Sequence, residues 1–294
     1  MGLIFKTVSD PKEKVVHLPR LQEMFDSFYK IGRLPEWQEE TFIHRVKELR
    51  NKGAKYISIK TGPFRPADLA KTMMLASKAG VDLVTVDGSG GGTGNSPIHM
   101  MNEWGYPTVY LETVLYRICQ KMQEKKIQCP TIVMTGGFAF EDQIFKGLAL
   151  GAPHIKAIGI GRAAMAAAMV GETVGKMIKK GSVPSDLSKF GQTIPQIFCG
   201  LSELRARFGN EVNNIPTGAL GVFNYVERIN TGLQQLMALC RKYQLDCIAR
   251  DDIIPLTKES AKVTGLTRIM ELDLEKLNGY LFLIKKENIF SFFR

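Results

Sequence analysis

The feature that most constrains the fold is a fourfold alternation of strand-like runs and helical segments between Gly53 and Gly181. Such alternation is typical of a parallel sheet built from successive β/α units. We therefore predict an α/β chain. The strand-like runs are residues 55–60, 82–87, 130–135 and 154–161, and the helical segments are residues 66–80, 110–125, 140–151 and 162–180.

Four β/α units make half of a (β/α)8 TIM barrel. The other four units, at ~30 residues each, need about 120 residues. Residues 1–54 are too few, and they hold one predicted amphipathic helix at 36–53 and a second candidate near 20–30. Three explanations stay open: the chain is a piece of a larger protein, a partner completes its sheet, or the sheet closes as a smaller open one.

The sequence as a whole suggests four segments. Residues 1–54 form an N-terminal extension with one or two helices, and residues 55–182 form the half barrel. Residues 183–223 are rich in Ser, Pro, Gly and Asn and are predicted to form a connector. Residues 224–294 form a C-terminal helical segment, with a strong helix at 224–244, a turn and helix at 251–265, and an irregular end from 280.

Composition excludes several classes of protein. The chain is 45% hydrophobic and 23% charged, which excludes a wholly disordered chain. Its 39 Lys and Arg against 29 Asp and Glu give a net charge of +10, but the basic residues are scattered. We therefore predict no nucleic-acid partner and interpret the charge mainly as solvated helix faces, with an anionic ligand or an acidic protein as a second interpretation.

No membrane span, leader or metal site is predicted. Apolar stretches such as 157–171 contain Arg and Gly and fall short of the ~20 residues that cross a bilayer. The first residues lack a secretory signal, which predicts a cytoplasmic protein. The five cysteines show no CxxC and the four histidines no ligand spacing, so reduced thiols and structural histidines are expected.

Polar and small residues end all four predicted strands. The first ends in Lys60, and a lysine at the end of a buried strand favours an anion or a reaction as its partner. A solvated lysine, already in the loop, is the alternative. The second strand ends in Asp87 and the glycine-rich loop 88–94, which either lets a ligand approach the backbone or serves as a mobile surface loop.

The third and fourth strand ends predict a phosphate cradle. Small residues run directly into two helices there, with an arginine beside one of them, and helix N-termini attract phosphate. Tight turn packing is the alternative. A second alternative is a dinucleotide-binding fingerprint at 159–164, although no strand ending in an acidic residue follows it. The cradle residues are Thr135, Gly136, Gly137, Gly159, Gly161 and Arg162.

These strand ends, in this order, resemble the FMN-binding domain of glutamate synthase and its shorter stand-alone prokaryotic relatives. The most specific stretch is the glycine loop 84–97, VTVDGSGGGTGNSP. Similarity continues through 133–152 and 159–171, and the helix at 225–243 resembles a C-terminal segment of the family. The resemblance covers about residues 40–265.

The resemblance implies a barrel oxidoreductase that uses FMN to reduce 2-iminoglutarate, formed from 2-oxoglutarate and ammonia, to L-glutamate. Lys60 matches the strand-end lysine near flavin and substrate, where it would hold the oxo-acid carboxylate or polarise the imine. The substrate loop would comprise Ser89, Gly91, Gly92 and Thr93. Gly136, Gly137, Gly161 and Arg162 match the positions that hold the FMN phosphate.

Two departures from the family limit what is carried over. Several cysteines ligate an iron–sulphur cluster in the family, but the corresponding stretch of this chain contains only Cys199. Because such a cluster needs at least three thiolates, we predict no iron–sulphur cluster. Electrons would then come from a donor protein or reductase. The first half of the barrel is also missing, so a partner chain or a homodimer is expected to complete it.

Two other functions stay open. The chain could be a non-catalytic flavin- or phosphate-binding subunit that completes a barrel with a partner chain. It could also be a different FMN barrel enzyme, such as a flavin-dependent isomerase, because a phosphate cradle does not specify a substrate.

Overall fold

The computed structural model of the chain describes residues 2–5, 28–31, 38–91, 105–272 and 274–286. Within these ranges every strand pairs in parallel with its neighbours. Two strands form one small sheet, and the other four form a larger sheet in which the order of strands follows the chain. The strands are β1 (Gly2–Phe5), β2 (Phe28–Ile31), β3 (Ser58–Thr61), β4 (Leu83–Asp87), β5 (Thr131–Thr135) and β6 (Ile155–Ile158).

A helix follows each of the four strands β3 to β6, so all four predicted β/α units are present. The chain is a mixed α/β protein with part of a (β/α)8-barrel-like fold. The α-helices among the described residues are α1 (Glu39–Asn51), α2 (Pro66–Ala79), α3 (Thr108–Glu124), α4 (Glu141–Gly151), α5 (Arg162–Lys179), α6 (Ser185–Ser188), α7 (Ile194–Ile197), α8 (Leu201–Phe208), α9 (Thr217–Leu239), α10 (Lys258–Thr264) and α11 (Leu274–Lys286).

Helix α2 shows how local sequence sets an element. Pro66 opens it with a fixed backbone angle, and Gly80 ends it in the left-handed conformation at φ 72°. The positions Leu69, Met73 and Ala76, spaced three and four residues apart, are fully buried. Their spacing places them on one face, which packs on the sheet.

Buried and exposed side chains alternate along the strands of the larger sheet, so its two faces differ. Val84, Val86, Ile132 and Met134 are fully buried with residues of α2 and α3. The intervening residues, such as Thr85, Thr131 and Val133, keep partial or full exposure within the described part of the chain. A closed barrel would bury this second face in its interior.

The structure differs from the predicted connector. Residues 183–223 contain the short helices α6, α7 and α8, a 3-10 helix at Gly209–Asn214 and the start of α9. Together with Val174 of α5 they form an apolar cluster, which includes Phe198, Leu201 and Leu204. The Ser, Pro and Gly residues that suggested a connector are helix caps and turns instead: Pro184 and Gly200, for example, occupy N-cap positions.

The chain ends also differ from expectation. The predicted helix at 36–53 is present as α1, but the second candidate near 20–30 ends in strand β2, and residues 20–27 lie outside the described ranges. The end predicted to be irregular from residue 280 is helical through α11 as far as Lys286. No described helix is both long enough and apolar enough to cross a bilayer, and all five cysteines are free thiols.

The C-terminal segment packs on the half barrel around a buried carboxyl group. Glu112 on α3 is 2% exposed, and its Oε1 atom has no hydrogen-bond partner among the described residues. The Arg250 guanidinium lies 3.9 Å from the centre of the Tyr116 ring and donates to the carbonyls of Leu150 and Thr264. Arg250 thus joins the segment after α9 to α3 and α4.

Replacing Glu112 with glutamine is expected to change how stability depends on pH. Burial raises the pKa of Glu112 well above its ordinary value of 4.5, against the opposing effect of Arg250. Between pH 4.5 and the raised value the folded state keeps a proton that the unfolded state has lost, so stability falls as pH rises. Glu112→Gln has no carboxyl group to ionise and does not lose stability in this way. At pH 8 its free energy of unfolding should exceed that of the wild type by on the order of 1–3 kcal/mol.

Urea unfolding of both proteins across pH 4 to 8 measures the effect. The two stability curves should lie close together at the acidic end and separate as pH rises, with the variant more stable. Parallel curves would show that Glu112 does not titrate with folding.

Candidate functional site

Three side chains from neighbouring strands meet where those strands end. The Lys60 Nζ atom lies 2.7 Å from Asp87 Oδ2, and the Thr135 hydroxyl donates to Asp87 Oδ1 at 2.6 Å. The Asp87 side chain is 6% exposed, whereas that of Lys60 is 46% exposed. Lys60 belongs to β3 and pairs with Thr85, so it lies inside the strand and not in the following loop. The site thus pairs a half-exposed cation with a buried carboxylate.

The role of Asp87 as the common partner was not predicted. In the sequence it was only the last residue of a strand. Its partners are 27 and 48 residues away along the chain, since they lie at positions 60 and 135. The available signal was the strand order, because the carboxyl ends of adjacent parallel strands lie side by side.

The described part of the glycine loop folds onto the turn after β5. The Ser89 amide donates to the Tyr106 carbonyl at 2.9 Å, and the Gly91 amide donates to the Gly88 carbonyl at 3.1 Å. A Cβ on Gly91 would lie 2.2 Å from Gly136 Cα and 2.5 Å from Asp87 Oδ1. Gly91 is therefore required for close approach. The predicted loop residues Gly92 and Thr93 lie outside the described residues.

Thr108, at the start of α3, fixes the other side of this turn. Its hydroxyl donates to the Gly136 carbonyl at 2.6 Å. A Cβ on Gly88 would lie 2.2 Å from Thr108 Oγ1, and a Cβ on Gly136 would lie 2.5 Å from the same atom. Gly136 also has φ 128°, a conformation that L-residues rarely adopt. At Gly136 the structure agrees with the alternative of tight turn packing, and Thr108 is a residue that sequence reasoning missed.

The start of α5 is open by comparison. A Cβ on Gly137 or Gly161 would meet no atom within 4 Å. Helix α5 begins directly at Arg162, and its first turn contains no acidic residue. The amides of such a turn carry partial positive charge, which favours an anion. Gly137, Gly161 and Arg162 therefore form the accessible part of the predicted cradle, whereas a Cβ on Gly159 would lie 2.4 Å from Thr135 Cγ2.

The helix after the third strand lies where it was predicted, but three residues separate it from Gly137, and its start does not suit a phosphate. Helix α4 begins at Glu141, and both Glu141 and Asp142 lie in its first turn. The Gln143 side chain already accepts hydrogen bonds from the amides of Ala139 and Phe140. Carboxylates at this helix start would repel a phosphate, so only the α5 start has the electrostatics of an anion site.

Arg162 links the two halves of the site. Its guanidinium donates to the carbonyl of Gly90 in the glycine loop. Because a guanidinium has five N–H donors, one carbonyl leaves others for a ligand. The described residues contain no group of three or more His, Cys, Asp or Glu side chains that could hold a metal ion. The open helix start and the Arg162 guanidinium are suited to an anionic ligand.

Comparison with known proteins points to one family. A family model described as "Conserved region in glutamate synthase" matches residues 35–173. An archaeal-type glutamate synthase [NADPH] of Dehalococcoides mccartyi is 35% identical over 91 residues, which cover 31% of this chain and 17% of the relative. A glutamate synthase large subunit-like protein of Rhizobium meliloti is 26% identical over 242 residues, which cover 78% of this chain and 50% of the relative.

The chain thus spans about half or less of the length of these curated relatives. The matched region contains all four β/α units apart from the end of α5, together with every described residue of the strand-end site. The resemblance expected from the strand ends is confirmed: residues 35–173 are a glutamate synthase-related domain.

Proposed function

We propose that this chain is an FMN-dependent oxidoreductase of the glutamate synthase type, which reduces 2-iminoglutarate, formed from 2-oxoglutarate and ammonia, to L-glutamate. The observation that carries the proposal is the presence, within the matched region, of a half-exposed lysine and an open helix start, both at the carboxyl ends of the parallel strands. Strands β3 and β6 are three strand spacings apart, on the order of 14 Å. An elongated ligand whose phosphate lies at β6 can extend towards Lys60.

The residues present fit the phosphate of FMN at the α5 start. Gly161 leaves room beside the first amides of the helix, Gly137 after the end of the adjacent strand β5 also has open space around it, and Arg162 adds a cation. Ser89 and Gly91, with Gly92 and Thr93, would line the substrate side. When bound, FMN would supply the hydride.

Lys60 would act on the substrate. Its ammonium would hold the oxo-acid carboxylate or polarise the imine, and its partial exposure leaves it able to touch a ligand while Asp87 stays beneath it. Removing Lys60 should therefore affect turnover more than binding of the FMN phosphate.

An electron-donor protein or a reductase, and a partner chain or a second copy that completes the barrel, belong to the same proposal. Within the described residues, β3 and β6 each have a neighbour on one side only. Strand edges of this kind are usually covered in native proteins. Since the chain spans half or less of its relatives, a non-catalytic flavin-binding subunit is the second candidate function.

The test is an assay of the purified chain with FMN, 2-oxoglutarate and ammonium chloride, with dithionite as reductant. L-glutamate is quantified by mass spectrometry, and a sample without protein provides the background. Formation of glutamate above that background supports the proposed function. Tight FMN binding without glutamate supports the non-catalytic subunit, and absence of both contradicts the proposal.

A further inference from the structure

We propose that Asp87 is the positioning residue of the strand-end site, which holds Lys60 and Thr135 in a fixed relation to each other. The assignment of the two sides to substrate and cofactor rests on the proposed function; the pairing itself does not. One carboxylate oxygen contacts Lys60 Nζ at 2.7 Å, and the other accepts from the Thr135 hydroxyl at 2.6 Å.

Burial separates the roles of the pair. At 6% exposure Asp87 has little surface with which to touch a ligand, whereas Lys60 at 46% can do so with its remaining N–H donors. A buried carboxylate is stable only when its oxygens are paired, and here each oxygen has a partner. Asp87 therefore acts through its neighbours and is not itself a catalytic residue.

Gly91, in the described part of the glycine loop, packs against this carboxylate. Gly91 approaches so closely that a Cβ there would lie 2.5 Å from Asp87 Oδ1. Because Gly91 has no side chain, its backbone can approach the Asp87 carboxylate, which is only 6% exposed, and limited access of water strengthens a charge interaction. The ion pair thus depends on the loop that would line the substrate.

The ion pair between Lys146 and Asp142 lacks these features. Lys146 and Asp142, also 2.7 Å apart, lie four residues apart on α4, with side chains 64% and 50% exposed. Pairs of this type contribute little to stability or geometry. Asp87, by contrast, ties together the ends of three separate strands. Asp142 is therefore a matched control for Asp87.

The first experiment measures how firmly Asp87 holds Lys60, without any ligand. The wild type and Asp87→Asn are acylated with a water-soluble N-hydroxysuccinimide ester, and labelling of Lys60 is followed by mass spectrometry. Loss of the charged hydrogen bond should raise the rate at which Lys60 is labelled about tenfold. Lys146 labelling should not change in Asp87→Asn, and Asp142→Asn should change Lys146 only slightly.

Unchanged Lys60 labelling in folded Asp87→Asn would overturn the proposal. If that variant does not fold, Thr135→Val replaces it, because it removes only the hydroxyl that orients the carboxylate. Lys60 labelling should then rise about threefold, and no change would likewise overturn the proposal.

The second experiment measures coupling between the two sides. FMN affinity is compared in Asp87→Asn, Thr135→Val and the double variant, and 2-oxoglutarate affinity in Asp87→Asn, Lys60→Met and the corresponding double variant. If Asp87 acts through its partners, each double variant should bind its ligand no more weakly than the weaker-binding of the two single variants. Additive losses would overturn the positioning role. A wild type that binds neither ligand contradicts the proposed function, and the labelling result then decides the pairing by itself.

Discussion

Replacing Gly136 with alanine should lower the free energy of unfolding by on the order of 3–5 kcal/mol. The new Cβ would lie 2.5 Å from Thr108 Oγ1 and 2.8 Å from both Gly88 Cα and Gly88 N. Two of these atoms belong to the backbone, so a side-chain rotation cannot relieve the collision. The residue would also keep φ 128°, which adds strain. Urea unfolding of the two proteins measures the loss.

Two other glycines separate strain from collision in the same experiment. Gly137 has φ 86° but no atom within 4 Å of a Cβ, so Gly137→Ala should cost only about 1–2 kcal/mol. Gly161 has neither feature, and Gly161→Ala should change stability by about 1 kcal/mol or less. Equal losses at Gly136 and Gly137 would show that the turn after β5 does not pack as described.

Replacing Lys60 with alanine should reduce kcat/KM for glutamate formation by about 100- to 1000-fold. The variant loses the only side-chain cation that the proposed mechanism places on the substrate. FMN affinity should change by less than about threefold, because the phosphate site lies at the far end of the sheet, on α5. Steady-state kinetics and a flavin titration give the two quantities.

Lys78→Ala is the control for Lys60→Ala. Lys78 also forms an ion pair at 2.7 Å, with Glu39, but both side chains are 50% exposed. This variant should keep wild-type kinetics. Turnover that survives in Lys60→Ala would contradict the role given to Lys60, whatever the result for FMN.

Local patterns were sufficient to predict the β/α units. The Pro66 and Gly80 boundaries of α2 and the strand ending at Asp87 follow from residue type and spacing, and the structure has them at those positions. The order of the units is equally well predicted, because sequential β/α units tend to lie side by side.

Contacts between distant residues were harder to predict. The approach of Thr108 to Gly136 joins segments 28 residues apart, and a sequence pattern does not show which glycine meets which side chain. The sequence also pointed to two phosphate-binding helix starts, although Glu141 and Asp142, which are visible at the predicted start of α4, leave only the start of α5 suitable. Helices α6 and α7 were missed because each has four residues, too few for a periodic pattern.

A comparison of FMN with riboflavin tests whether the α5 start binds the phosphate of FMN. Riboflavin has the same ring system but no phosphate. Flavin fluorescence titrations of the wild type and of Arg162→Ala give four dissociation constants. We expect the wild type to bind FMN at least about tenfold more tightly than riboflavin, and Arg162→Ala to lose most of that preference. Equal affinities for the two flavins in the wild type, or no binding of FMN, would contradict the account.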